Sequence, residues 1–149
     1  MGVLYKSITR GKGNVFGFLG EEIVRKVLGG EDHNTRDYDL LVNNKKIDVK
    51  TKKTSVTPKS NYECSVADVT RKQDCDYFAF VRVLNDQSVG WFLGLKERDD
   101  YFSNAVYLAK GEHDPSNNYF VKADCYNLPI SSLDLSVNGI IENGSKVKV

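Results

Sequence analysis

The sequence is sparing in cysteine and proline and has no excess of either charge. Its 149 residues include three cysteines, three prolines and one tryptophan, and 21 Lys and Arg against 20 Asp and Glu leave a net charge of +1. Cys64, Cys75 and Cys125 form no CxxC pair, so neither a disulfide framework nor a common zinc or iron–sulfur motif is indicated. The balanced charge argues against a protein that coats nucleic acid indiscriminately, because such proteins carry a large basic excess.

Long hydrophobic runs are missing as well. Residues 1–10 lack the apolar stretch of a signal peptide, and no segment approaches the length that spans a bilayer. The composition, 40% hydrophobic and 28% charged, is that of an ordinary globular protein, and the length suits one domain. We therefore expect a single domain over residues 1–149 of a cytoplasmic protein.

The spacing of apolar residues predicts helices and strands mixed around one sheet. A 3.6-residue period indicates an amphipathic helix, and strict alternation or an aromatic, β-branched run indicates a strand. The predicted fold class is therefore α/β, of the mixed α+β kind, with a central mixed β-sheet flanked by helices. In chain order the predicted elements are a helix at 14–28, strands at 37–43 and 46–51, a short helix at 65–74, strands at 77–83 and 89–95, a short helix at 99–105 and a strand at 119–126.

The first two strands predict a hairpin that gathers three charged side chains. A two-residue loop at 43–44 places Asp39 across from Asp48, and a two-residue loop at 44–45 places Asp39 across from Lys50. Either loop brings the three side chains to one face, because side chains alternate with a period of two. A three-residue loop would put them on opposite faces, so the turn decides the prediction.

Asp39, Asp48 and Lys50 together predict a site for phosphodiester hydrolysis. Two facing carboxylates repel each other unless a cation lies between them, and Mg²⁺ takes hard oxygen ligands of this kind, completed by water and phosphate. Lys50 would hold or help deprotonate the attacking water, or neutralise charge that develops on the phosphate. We expect Mg²⁺ as the cofactor, for which Mn²⁺ could substitute.

The first predicted helix offers a further acid to the same site. Glu21 lies about 20° beyond the edge of the apolar stripe, whereas Glu22 lies about 60° outside the other edge. We therefore favour Glu21 as the catalytic acid that reaches the sheet, directly or through a metal-bound water. Glu22 is the alternative, expected to point to solvent.

Basic residues around these positions predict contacts with phosphates. Six lysines and a single acid lie between Lys45 and Lys59, and basic residues ahead of a helix N-terminus could grip a phosphate. A solubilising surface explains the lysines equally well. Gln73 is a further polar candidate near the site, to which we assign no role. The predicted nucleic-acid-binding residues are Arg10, Lys12, Lys46, Lys52 and Lys53.

The ordered set of residues resembles the PD-(D/E)xK nuclease superfamily. Asp39 corresponds to the first acid, Asp48-Val49-Lys50 to the (D/E)xK element, and the Gly17–Glu21 run to the GxxGE found on the preceding helix of many members. Tyr38 stands where the family often has proline. The resemblance implies a restriction-endonuclease-like core of αβββαβ order, as in small phage and bacterial members, and Mg²⁺-dependent hydrolysis that leaves 5′-phosphates. It also implies the backbone carbonyl of Val49 as a metal ligand.

The resulting hypothesis is a Mg²⁺-dependent DNA endonuclease acting in a bacterial or phage-infected cell. Cutting two strands usually takes two active sites, so we expect a homodimer or a higher symmetric assembly. A homing, junction-resolving, restriction-type or phage DNA-processing role is left open, because the motif does not encode substrate structure. The alternatives are a non-catalytic DNA-binding module with the same fold and a protein-interaction or structural domain whose motif residues are accidental.

Overall fold

The structure, a computed structural model, describes residues 14–114 and 119–141, so Arg10 and Lys12 lie outside the described residues. Within these ranges no helix is long and apolar enough to cross a membrane. The elements in chain order are α1 (Asn14–Leu28), β1 (Glu31–Asp32), β2 (Leu40–Val42), β3 (Lys45–Thr54), β4 (Glu63–Ala67), a 3₁₀ helix (Asp68–Lys72), β5 (Tyr77–Leu84), β6 (Gly90–Glu97), α2 (Arg98–Asn104), β7 (Val106–Leu108), β8 (His113–Asp114), β9 (Tyr119–Phe120), β10 (Cys125–Pro129) and a final 3₁₀ helix (Ile130–Ser132).

Helix α1 has the predicted bounds and packs closely on the central sheet. Ile23 and Val24 on its apolar stripe are 4% and 0% exposed. Gly20 faces the side chain of Thr51 on β3, where the Cβ of any other residue would overlap it. The helix ends at Gly29, which has a φ of 74° that suits glycine at a helix C-terminus.

The central sheet has five strands in the order β1-β2-β3-β5-β6. Strands β3 and β5 run parallel, and the other neighbours run antiparallel, so the sheet is mixed as predicted. Strand β5 lies in the interior, with Phe78 and Ala79 fully buried. The hydrophobic 77–83 run is therefore accounted for by burial on both faces of the sheet.

Each face of the central sheet has its own hydrophobic core. On one face, α1 covers Ile47, Val81 and Val83. On the other face, a second sheet of order β4-β10-β7, together with α2, covers Phe78 and Phe80. Tyr101 on α2 anchors this second layer, because its buried hydroxyl donates to the Tyr126 carbonyl at 2.7 Å. The charged face of β3 points into the same layer.

The prediction of a helix at 65–74 is wrong. Ser65 lies within β4, and only Asp68–Lys72 is helical, as a 3₁₀ turn. The reason is tertiary: β4 pairs with β10 along five residues, and Val66 is buried to 1% exposure opposite Tyr126. The αβββαβ order that the resemblance implies is not found, because the crossover from β3 to β5 carries a strand and a 3₁₀ turn in place of an α-helix.

The late strand predicted at 119–126 is two strands. Strand β9 pairs with β8 in a separate two-stranded sheet, and β10 begins at Cys125 in the second layer. The helix predicted at 99–105 is confirmed as α2, shifted by one residue at each end. The central hairpin of β2 and β3 and the interior strand β5 are the elements that position the charged side chains.

Candidate functional site

The turn between β2 and β3 has the first of the two predicted registers. Val42 pairs with Lys45, so the loop is Asn43-Asn44, and both asparagines adopt positive φ, 48° and 66°. Asparagine tolerates this conformation better than most residues because its short polar side chain bonds locally. The two-residue loop leaves Asp39 beside β3 at the end of the hairpin.

Asp39 lies where the regular pairing of β2 ends. Its backbone N–H donates to the Ile47 carbonyl at 2.9 Å, and its carboxylate Oδ2 accepts the backbone N–H of Val49 at 2.8 Å. A side-chain carboxylate thus takes the hydrogen bond that a strand carbonyl would take. This bond holds the Asp39 carboxylate at the open edge of β3.

The two aspartates are close enough to perturb one another. Burial and the neighbouring Asp48 carboxylate together raise the pKa of Asp39 to about 6, although the hydrogen bond from the Val49 amide lowers it. Asp48 itself is only 5% exposed. Two carboxylates this close, one buried and one half-buried, are costly unless protons or cations neutralise them.

Lys50 supplies a positive charge on the same face of β3. Its Nζ lies 2.9 Å from Asp48 Oδ2, and it donates to Gln73 Oε1 at 3.1 Å. The Gln73 amide nitrogen lies 3.5 Å from Asp48 Oδ1 and 3.3 Å from the Arg36 carbonyl. Gln73 therefore bridges the aspartate and the lysine and orients both.

The donor set fits a divalent cation. Asp48 Oδ2 is buried and has no hydrogen-bond donor, because Lys50 approaches it at ion-pair distance without hydrogen-bond alignment. The N–H and C=O of one strand residue point to the same side, so the Val49 carbonyl faces the Asp39 edge as the Val49 amide does. Among the described residues no three His, Cys, Asp or Glu side chains form a complete metal site. Water and phosphate would have to complete the shell, as is usual for Mg²⁺.

The expectation that Glu22 points to solvent is wrong. Its side chain is only 16% exposed, because it pairs with Arg25 at 2.6 Å along the helix. Glu21 is half-buried, and burial followed by the charges of Asp39, Asp32 and Asp48 raises its pKa to about 8. Helix α1 lies on the opposite face of the central sheet from Lys50, and the charges of Asp39 and Asp48 still act on Glu21. Glu21 is therefore the helix acid within electrostatic reach of the two aspartates.

The predicted phosphate-binding lysines divide between two faces. Lys46 and Lys52 share the face of Asp48 and Lys50, and Lys46 pairs with Asp74 at 2.7 Å. Lys53 lies on the other face, where its Nζ stacks 4.8 Å from the centre of the Phe16 ring on α1. Only Lys46 and Lys52 therefore extend the charged face of the site.

Two residues of this region were not assigned by sequence. Gln73 follows the 3₁₀ turn, and no residue spacing marks it as a partner of Lys50. Arg82 lies on β5 in register with Lys52, on the same face, and is 8% exposed. The sequence could have indicated Arg82, because it is a charged residue within the hydrophobic run Tyr77–Leu84. A charged residue in an interior strand has to face polar groups.

A comparison with protein-family models finds no match for this chain, and a comparison with curated proteins finds no similar sequence. The geometry of the site consists of the buried carboxylate of Asp48, the half-buried carboxylate of Asp39 and the Lys50 ammonium. The helix acid Glu21, with its pKa raised to about 8, lies within electrostatic reach.

Proposed function

We propose that this protein is a Mg²⁺-dependent DNA endonuclease built on a PD-(D/E)xK-like core. The observation that carries the proposal is the convergence of Asp39, Asp48 and Lys50, with the Lys50 ammonium 2.9 Å from Asp48 and the Asp39 carboxylate bound to the Val49 amide. Two acids and a lysine in this arrangement suit the hydrolysis of a phosphodiester, whose transition state carries extra negative charge beside an attacking water.

Each residue has a distinct role in the proposed reaction. Asp39, Asp48 and the Val49 carbonyl would hold Mg²⁺ or Mn²⁺, which supplies positive charge and a bound water of lowered pKa. Lys50 hydrogen-bonds the attacking water or a non-bridging phosphate oxygen, and Gln73 fixes the position of its ammonium. Glu21, with a pKa raised to about 8 by burial and nearby acids, can exchange a proton near neutral pH.

The assembly follows from the substrate. A single site cuts one strand of a duplex, so we extend the proposal to a homodimer or a higher symmetric assembly with two sites facing the DNA. Light scattering of the purified full chain measures this directly. A strictly monomeric protein that nicks one strand at a time would retain the catalytic proposal and reject the assembly.

The proposal is tested by incubating the full chain with supercoiled, linear and branched DNA, in Mg²⁺, in Mn²⁺ and in EDTA. Asp48→Asn and Lys50→Ala should each lower the cleavage rate by about 10²- to 10³-fold, the range typical for loss of a group that stabilises transition-state charge. Glu21→Gln should lower it as well.

Glu22→Gln is the matched control, because Glu22 neighbours Glu21 on α1 and pairs only with Arg25 among its described partners. Cleavage that is equal in wild type, Asp48→Asn and Lys50→Ala would reject the catalytic assignment. DNA binding without cleavage on every substrate in Mg²⁺ and Mn²⁺ would instead favour the non-catalytic DNA-binding module.

A further inference from the structure

A cavity of about 240 Å³ lies next to the candidate site on the same face of the central sheet. It opens between β3, β5 and β4, and its floor includes the apolar side chains Phe80 and Leu93. Lys50 belongs to both the cavity and the candidate site, so the two are continuous. The charged residues that line the cavity are Lys50, Lys52, Arg82 and Glu63.

Arg82 is a buried cation with little to neutralise it. It is 8% exposed, and its guanidinium donates to the backbone carbonyl of Glu63 at 2.8 Å and stacks 5.3 Å from the centre of the Tyr62 ring. Across residues 14–114 and 119–141 it makes no ion pair with a carboxylate. Burying a charge is expensive unless a counter-charge and hydrogen bonds compensate, and a guanidinium has five N–H donors to satisfy.

The other charges in the cavity make an anion more favourable. Lys52 lies in register with Arg82 on the neighbouring strand. Burial of its amine and the charge of Arg82 lower the pKa of Lys52. Lys50 is already paired with Asp48 at 2.9 Å, and the charges of Asp114 and Glu63 oppose the pKa shift of Lys52. Lys52 and Arg82 are therefore the two lining cations that a bound anion would contact.

The direction of β3 links this cavity to the proposed cleavage site. Lys52 is four residues beyond Asp48, which is about 13 Å along an extended strand. Lys50 lies midway between them. A nucleic-acid strand whose phosphate lies at Asp48 would therefore reach Lys52 and Arg82 with a phosphate further along the same strand.

We propose that this cavity binds a second phosphate group of the substrate strand, held by Lys52 and Arg82 while the cleaved phosphodiester lies at Asp48 and Lys50. The inference rests on the proposed function for the identity of the strand. The volume admits a phosphate with part of its nucleoside and excludes a duplex, so the group is either a terminal phosphomonoester or the internal phosphodiester of a frayed or single strand.

The experiment measures binding in EDTA, where no cleavage occurs, by fluorescence anisotropy of labelled single-stranded and duplex oligonucleotides with and without terminal phosphates. Lys52→Gln should weaken binding about five- to tenfold and reduce the salt slope by about one phosphate contact. Arg82→Gln should act in the same direction. Lys26→Gln is the matched control, because it removes the same charge from an exposed lysine on α1, on the far face of the sheet.

The oligonucleotides distinguish the two sources of phosphate. A terminal phosphate in the cavity predicts tighter binding of phosphorylated strands by wild type, and Lys52→Gln should abolish that preference. An internal phosphodiester predicts that Lys52→Gln weakens all strands equally. If Lys52→Gln binds every strand within twofold of wild type, the cavity assignment is overturned, and this variant decides alone if Arg82→Gln does not fold.

A second measurement separates this inference from the proposed function. Inorganic phosphate at constant ionic strength should raise the melting temperature of wild type through binding to the folded state, and should raise that of Lys52→Gln less. If the protein binds phosphate through Lys52 but cuts no DNA, the nuclease proposal is rejected and the cavity assignment stands. If Lys52→Gln changes neither Mg²⁺-dependent cleavage nor DNA binding, the cavity assignment is rejected and the nuclease proposal stands.

Discussion

Glu21→Gln should stabilise the metal-free protein at alkaline pH. Burial and nearby acids raise the pKa of Glu21 from an ordinary 4.5 to about 8 in the folded protein. Between these pH values the folded state binds more protons than the unfolded state, so this residue's contribution to stability is full below pH 4.5 and is lost as the pH rises to 8. Glutamine cannot ionise and therefore avoids that loss.

The magnitude follows from the two pKa values. The full difference corresponds to roughly 5 kcal/mol of unfolding free energy, and because Glu21 is only half-buried we reduce it to about 1–2 kcal/mol for solvent screening. For a chain of this size the gain amounts to about 3–6 °C in melting temperature. At pH 4.5 the variant and wild type should unfold at similar temperatures.

The assay is thermal unfolding in EDTA from pH 4.5 to 9, monitored by circular dichroism. Glu22→Gln is the control, since it loses a partly buried ion pair with Arg25 and should be neutral or slightly destabilised at every pH. Adding Mg²⁺ should stabilise wild type more than Glu21→Gln. A Glu21→Gln variant that is equally or less stable than wild type at pH 9 would refute the argument that Glu21 shares the electrostatic environment of Asp39 and Asp48.

The remaining predictions concern packing and positioning. Gly20→Ala should destabilise the fold by about 2 kcal/mol or more, because its Cβ would overlap Thr51. Gly17→Ala, with open space around it, should stabilise the fold by about 0.5–1 kcal/mol. Urea unfolding compares the two variants, and equal effects would contradict the close approach of α1 to β3. Tyr101→Phe should cost about 1–2 kcal/mol through its lost hydrogen bond to the Tyr126 carbonyl, with no change in metal dependence. An unchanged urea midpoint would rule out this anchoring role. Gln73→Ala should lower the cleavage rate about tenfold and shift its pH profile. Gln73→Glu should change the pH profile differently, because it adds a charge beside Lys50. Identical profiles for wild type and both variants would remove Gln73 from the site.

The local patterns of this sequence determined the elements that carry the candidate site. The apolar spacing of residues 14–28 predicted α1 with its bounds, and the aromatic, β-branched run at 77–83 predicted the interior strand β5. The alternation in β3 separated Asp48 and Lys50 from Ile47. These predictions succeed because helix and strand periods are properties of the backbone and need no knowledge of what packs against them.

Tertiary structure decided the features that depend on distant partners. Residues 65–74 have a composition that allows a helix, but pairing with β10 makes the first part a strand. Lys53 and Lys52 are neighbours in sequence, yet Lys53 packs on Phe16 while Lys52 lines the cavity with Arg82. Gln73 reaches Lys50 only because the crossover from β3 to β5 returns beside the hairpin.

The same division holds within the candidate site. The sequence predicted a short hairpin but left its loop open between 43–44 and 44–45, and the structure selects the first, which brings Asp39 beside Asp48. The helical projection favoured Glu21 over Glu22, but the raised pKa of Glu21 arises from its burial and from acids on three other segments of the chain. Sequence determines which groups are available and which face they occupy; long-range packing determines their burial, and burial sets the strength of every charge–charge interaction among them.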